Sequence, residues 1–345
     1  MMQDPSPKNL SQAFDDEHKA SIAMASRLSI APMMDWTDRN CRVFHRMMSR
    51  HALLYTEMVT APAVVHGDRS RLLDYDAAEH PLALQLGGSD PAELRQATQI
   101  ANDWGYDEIN LNVGCPSDRV QSGCFGAVLM KSPDLVAECV MAMQDVSRAE
   151  VTVKCRIGVD DQDPSDVLPD FIARMQKAGI RRMSIHARKA WLQGLSPREN
   201  REVPPLDYDL VHLMKQQFPD MHLSVNGGIG SVADIHRHLD HMDGVMVGRA
   251  AYHQPWDILG AADRLWDAAA PMHGPVEVAE AMRPVIQAHL KNGGRLHQFT
   301  RHMLGLFHGR AGARSWKRTL SEGASRGGIE VYDAALAQVR QAAAA

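Results

Sequence analysis

Eight short β-like runs, most of them separated by helical patterns, constrain this chain more than any other feature. They fall at Leu28–Ala31, Leu53–Glu57, Leu82–Leu86, Glu108–Asn112, Val151–Cys155, Met183–His186, Leu223–Asn226 and Gly244–Gly248. Their near-continuous apolar character suits strands buried on both faces, as in a parallel sheet whose crossovers are helices. A doubly wound open sheet and a closed (β/α)8 barrel both satisfy this rhythm. Eight repeats over this length favour the TIM barrel. The helix starts agree. Asp90-Pro91-Ala92-Glu93 offers an N-cap, a proline at the first helical position and an acid in the first turn. Ser132-Pro133 and Ser231, the latter ahead of Val232, Ile235 and Leu239, announce two more.

Two flanking segments break the rhythm. Residues 1–26 are polar and aperiodic and carry no secretory apolar core, so they are expected to be a disordered N-terminal extension. The barrel is expected to span 27–262. Beyond it the β runs stop, and 263–345 read as a helical domain through Val276–Leu290 and Leu296–Leu320, punctuated by Gly293-Gly294 and by Gly309 to Gly312.

Composition enters through charge. The chain has a net charge of −5, which at first opposes an anionic partner. From Arg283 to Arg326, however, nine Lys/Arg face one acid, Glu322, so that segment is +8 and the rest is −13. A basic block at one end of an acidic chain points to an anionic partner, with a solvated helix face as the plain alternative. With 45% apolar and 23% charged residues the chain has ordinary globular proportions, and no run approaches the ~18 apolar residues of a membrane span. Five cysteines without a C-x-x-C give no disulfide framework and no zinc ribbon, which fits the reducing cytoplasm and no metal site.

In a parallel barrel, chemistry collects where the strands end. Asn226-Gly227-Gly228 and Gly248-Arg249 follow the seventh and eighth runs, the usual phosphate position of this fold. Lys154 sits inside an apolar run, costly unless an anion or an electron-rich ligand meets it or its stem snorkels to the mouth. His186 ends the sixth run ahead of Arg188 and Lys189, facing a ligand rather than closing the core. Cys115, between Gly114 and Pro116, sits among loop formers, whereas Cys41, Cys139 and Cys155 have the surroundings of packing residues. A strand-end thiol acts as nucleophile or as acid. No Ser/His/Asp or Cys/His arrangement and no ligand spacing surrounds it, which disfavours a hydrolase or a metal centre.

Seven blocks, taken together, carry a resemblance. Ala31-Pro32-Met33, Gln85-Leu86-Gly87, Asn110 to Ser117, Val153 to Arg156, Ile185 to Arg188, Asn226-Gly227-Gly228 and Gly248-Arg249 resemble the tRNA-dihydrouridine synthases. The stretch His186 to Leu192, with Gly305-Leu306-Phe307 and Gly312-Ala313-Arg314, is similar to the A-type subfamily, and the likeness runs from about residue 27 to 325.

The resemblance implies a flavin barrel and a helical domain that together hold tRNA. FMN, reduced by NADPH, would saturate the C5–C6 bond of D-loop uridines at positions twenty and twenty-a. Ala31, Pro32, Met33, Gln85, Lys154 and His186 would line the ring system. Asn226, Gly227, Gly228, Gly248 and Arg249 would take the ribityl chain and phosphate, and Cys115 would protonate C5. Asn112, Arg198 and Arg201 near the mouth, and Arg314 and Lys317 on the helical domain, would contact RNA, the uridine being extruded into the barrel. No protein partner and no NADPH-binding motif is implied. A flavin barrel reducing a free pyrimidine shares these cofactor positions but gives the basic helical segment no task, and a non-catalytic RNA-binding protein would need no flavin.

Overall fold

The computed structural model describes residues 20–117 and 123–344. Eight parallel strands close into one barrel in sequence order: β1 Leu28–Ile30, β2 Leu53–Thr60, β3 Leu82–Gly87, β4 Glu108–Val113, β5 Glu150–Arg156, β6 Arg182–His186, β7 His222–Asn226 and β8 Gly244–Val247. β1 closes the ring, pairing with β8 through Leu28–Val245, Ser29–Met246 and Ile30–Val247. The expected barrel, rather than an open sheet, is the fold.

The two faces of the strands differ. Outward residues such as Ile109, Leu111, Val113, Val153, Ile185 and Val225 are buried in one apolar core shared with the surrounding helices. Inward residues are largely polar, among them Gln85, Asn110, Thr152, Arg156, Ser184, His186, Ser224 and Asn226, all buried. The expected burial on both faces therefore holds, but the apolar character read from the runs belongs to the outward face only. At the base of the barrel Arg182 lies 2.7 Å from Glu108 and 3.0 Å from Glu150, and the Tyr55 hydroxyl donates to Glu108 at 2.5 Å. Buried charges persist only when paired and hydrogen-bonded in this way.

Caps set the helices that hold the strands. Asp90 accepts from the N–H groups of Ala92 (2.7 Å) and Glu93 (3.0 Å) to start Pro91–Ala101. Ser231 accepts from Asp234 N at 3.1 Å to start Val232–Leu239. Ser132 makes no side-chain cap, and Pro133 alone marks that helix start. In the N-terminal stretch expected to be disordered, residues 20–25 are helical, with Ile22 and Ala25 buried against Leu53, Tyr55, Ala83 and Met246, while residues 1–19 lie outside the described residues. The apolar spacing of Ile22 and Ala25, three apart on one helix face, is the physical reason.

The C-terminal part is helical, through Pro275–Lys291, His297–Met303, Ala313–Gly323 and Ile329–Ala344. Trp316 and Tyr332 are fully buried between these helices, each with its polar atom satisfied: Trp316 Nε1 donates to Met303 O at 2.9 Å and Tyr332 OH to Ala279 O at 2.7 Å. Asp38, which caps Arg39–Arg46, joins this part to the barrel, pairing with His302 Nε2 at 3.0 Å and with Arg301. Burial would raise the Asp38 carboxyl, but hydrogen bonds from His302, the Cys41 N–H and Arg301 outweigh it and hold it down to about 2. No helix among the described residues is long and apolar enough to cross a membrane.

Candidate active site

The strand ends bring most of the expected residues to one mouth. Gln85, Asn110 and Thr152 are neighbours across β3, β4 and β5, and Asn112 pairs in register with Lys154. Gln85 Nε2 donates to Asn110 Oδ1 and Asn112 Nδ2 donates to Gln85 Oε1, each at 2.8 Å. Asn112 Oδ1 then accepts from the backbone N–H groups of Gly114 (3.1 Å) and Cys115 (2.9 Å). Asn112 is thus itself buried, with its carbonyl oxygen already occupied beneath the loop.

Three contacts fix the backbone around Cys115. Besides Asn112, Arg156 Nε donates to Gly114 O at 2.9 Å, and Ala127 N donates to Cys115 O at 2.9 Å. Arg156 also donates to Lys189 O (2.9 Å) and Asn200 O (3.0 Å), tying the loops after β4 and β6 to the end of β5. The half-buried thiol has the Ser117 hydroxyl 3.5 Å away. All five cysteines are free.

Lys154 Nζ donates to Asn226 Oδ1 at 3.1 Å, and Asn226 Nδ2 donates to Met246 O at 2.7 Å. Among the described residues the ammonium meets no carboxylate. Burial pushes it down to about 8, and the positive charge of Arg156 adds to this. His186 is buried, and its Nδ1 has no hydrogen-bond partner. Burial, then Arg156, Lys154 and Arg188, push its imidazole well below its ordinary value, so it is neutral at physiological pH. Gly227 and Gly228 have φ of +110° and +70°, and a Cβ on Gly228 would stand 2.6 Å from Leu206, so only glycine closes this turn against its wall. Ala31 and Met33 approach Gly248 across the β1–β8 seam, with Met33 N accepted by Thr37 Oγ1 at 2.9 Å. Pro32 is half-buried beside them.

Arg249 stands apart from this arrangement. Its guanidinium pairs with Glu202 at 2.5 Å instead of lying free over the glycine loop. Arg198 lies 3.6 Å from the same carboxylate and is largely exposed, and Arg201 is exposed beside it. On the helical part Arg314 and Lys317 are exposed. Arg201 is within electrostatic reach of Arg249, and both Arg249 and Lys317 are within reach of His253, so the basic surface runs from the mouth onto the helical part. Sequence reasoning assigns no part to Arg156, Asn110, Arg188 or Glu57. The first two carried a usable signal, a polar residue two positions from another on a buried strand. Glu57 did not. Its Oε1 is buried without a partner, and burial, then Asp38, pushes its carboxyl up.

A parallel eight-stranded barrel with a cationic, donor-rich mouth, a glycine turn after its seventh strand and one fixed loop thiol defines an enzyme built to hold an anionic or electron-rich ligand. A family model described as dihydrouridine synthase matches residues 29–343. A tRNA-dihydrouridine(20/20a) synthase of Xanthomonas campestris pv. campestris is 57% identical over 309 residues, 90% of this chain and 92% of that protein. Its counterpart in Escherichia coli K12 is 54% identical over 326 residues, 94% of each. Among solved structures, the old yellow enzyme homologue from Zymomonas mobilis shares the fold at a TM-score of 0.51 and 12% identity, covering 73% of this chain and 91% of that one. The chain belongs to the dihydrouridine synthase family and is a flavin-dependent oxidoreductase.

Proposed function

We propose that this chain reduces the C5–C6 double bond of D-loop uridines in tRNA, at positions 20 and 20a as the names of its relatives state, with FMN as the flavin and NADPH as the reductant, in the cytoplasm. The observation that carries this reading is the Cys115 loop, held from three sides at a mouth lined by Lys154, Arg156 and neutral His186. The donor set suits a flavin: an ammonium with one neutral partner, and a buried ring nitrogen with none. Ala31, Pro32, Met33, Gln85, Lys154 and His186 would hold the ring system. Asn226, Gly227, Gly228 and Gly248 would hold the chain and phosphate, with Arg249 at the rim.

When bound, FMN would supply the hydride for C6. Charge then develops at C5 and O4 of the uracil, and a positioned acid must deliver a proton to C5. Cys115 is that acid, its backbone immobilised so that the thiol meets one atom. Arg198, Arg201, Arg314 and Lys317 would meet the RNA, whereas Asn112, expected among the RNA contacts, is buried with both amide atoms engaged and would hold the cysteine loop instead. The extruded base is held against the barrel while the helical part takes the backbone. The reading is tested by comparing unmodified tRNA with free uridine as oxidants of the reduced protein. Turnover of tRNA alone is expected, and turnover of free uridine alone would assign the site to a metabolite.

Lys154 gives the reading a pH signature. An electron-rich ligand edge favours the ammonium, and the free protein releases that proton at about 8. FMN affinity is therefore expected to be flat from about pH 7 to 8, where the phosphate monoester is already a dianion, and to fall above pH 8 by up to ~tenfold per pH unit as binding takes up a proton. Lys154→Met should bind FMN more weakly and without this slope, measured by fluorescence titration. A slope that survives the substitution would place the titrating group elsewhere.

A further inference from the structure

The inner face of β4 carries a chain of hydrogen bonds whose direction is fixed at both ends. At the base, Glu108 is a carboxylate beside Arg182 and can only accept, so the Thr152 hydroxyl donates to its Oε1. Thr152 Oγ1 is left to accept, and Asn110 Nδ2 donates to it at 2.8 Å. Asn110 must then turn its Oδ1 to Gln85 Nε2, and Gln85 its Oε1 to Asn112 Nδ2. Asn112 finally presents Oδ1 to the N–H groups of Gly114 and Cys115, which can only donate. Flipping any one amide sets donor against donor or acceptor against acceptor in a layer with no solvent to relieve it: Gln85, Glu108, Asn110 and Thr152 are at most 2% exposed.

We propose that Thr152 and Glu108 are positioning residues for Cys115. They lie beneath the three amides and would act on the loop through them. They set the polarity of three successive amides, and that polarity pins the cysteine loop over the mouth. The effect on turnover rests on Cys115 being the proton donor, whereas the effect on the loop does not.

Thr152→Val keeps the shape of the side chain and suits a strand but removes both hydrogen bonds. Relative to wild type it is expected to lower kcat for tRNA about ten- to a hundredfold with KM unchanged, as a displaced acid does. Cys115 should be alkylated by iodoacetamide several-fold faster, read by peptide mass spectrometry. Thr152→Ser, which keeps the hydroxyl, should restore both rates. Unchanged kcat and alkylation in the valine variant would overturn the proposal, and so would a loss that serine fails to rescue, since that is packing. If the valine variant does not fold, wild-type amide exchange decides: slow exchange at Gly114 and Cys115 supports the relay, and exchange at open-loop rates overturns it. A wild-type protein inactive on tRNA would refute the functional reading, while the alkylation and exchange results would still judge the relay.

Discussion

Cys115→Ala is expected to bind flavin and accept electrons from NADPH at the wild-type rate, and to pass them to tRNA uridine at least ~100-fold more slowly, the lower end of what a positioned acid contributes. The separation follows from where the side chain sits. No described cofactor-lining residue hydrogen-bonds to its thiol, whose neighbour is the Ser117 hydroxyl, whereas the loop is held through backbone atoms that alanine retains. The fold and the flavin pocket should therefore survive. Stopped-flow measurement distinguishes the half-reactions: reduction by NADPH first, then reoxidation by unmodified tRNA. A reoxidation rate equal to that of wild type would mean that another group protonates C5. Cys115→Ser should rank between the two, since a hydroxyl gives up its proton far less readily than a thiol.

The barrel was legible because its signal is repetitive and local: each of the eight β-like runs overlaps a strand, and Asp90 and Ser231 cap the helices they precede. The glycine turn after β7 was legible for the same reason. What escaped the sequence depends on pairs far apart in the chain. Arg249 carries the forked donors a phosphate site calls for, but its partner Glu202 is forty-seven residues away and comes from a different loop. Ser132 has the right residue type for a cap, but its backbone leaves the hydroxyl without a cap bond. The polar inner face was present as a period of two, Glu108, Asn110, Asn112 and then Thr152, Lys154, Arg156, yet β-branched and apolar residues between them gave the runs an apolar average. In a closed barrel inward residues see only one another, so polar groups there survive by pairing across strands, a condition that no single strand displays.

The basic block shows the same difference between count and geometry, and it leads to the second large effect. Of its nine cations, Arg283 pairs with Asp333, Arg301 with Asp38 and Arg310 with Asp257, so these three serve the fold. Arg314 and Lys317 have no ion pair among the described residues. Arg314 lines a cleft of about 510 Å3 together with Arg310, Ser315 and Arg318, at the start of Ala313–Gly323. Lys317 lies toward His253 and so toward the barrel mouth. Reversing both charges, Arg314→Glu with Lys317→Glu, is expected to weaken tRNA binding by more than ~tenfold at low salt. It should also flatten the dependence of log Kd on log salt by roughly 1.5, the loss of two phosphate contacts. Flavin content and thermal stability should not change, because both side chains are exposed and neither closes an internal pair. The salt slope is the decisive quantity. Weaker binding with an unaltered slope would indicate a disturbed fold rather than lost phosphate contacts, and unchanged affinity would confine the RNA to the barrel mouth around Arg198 and Arg201.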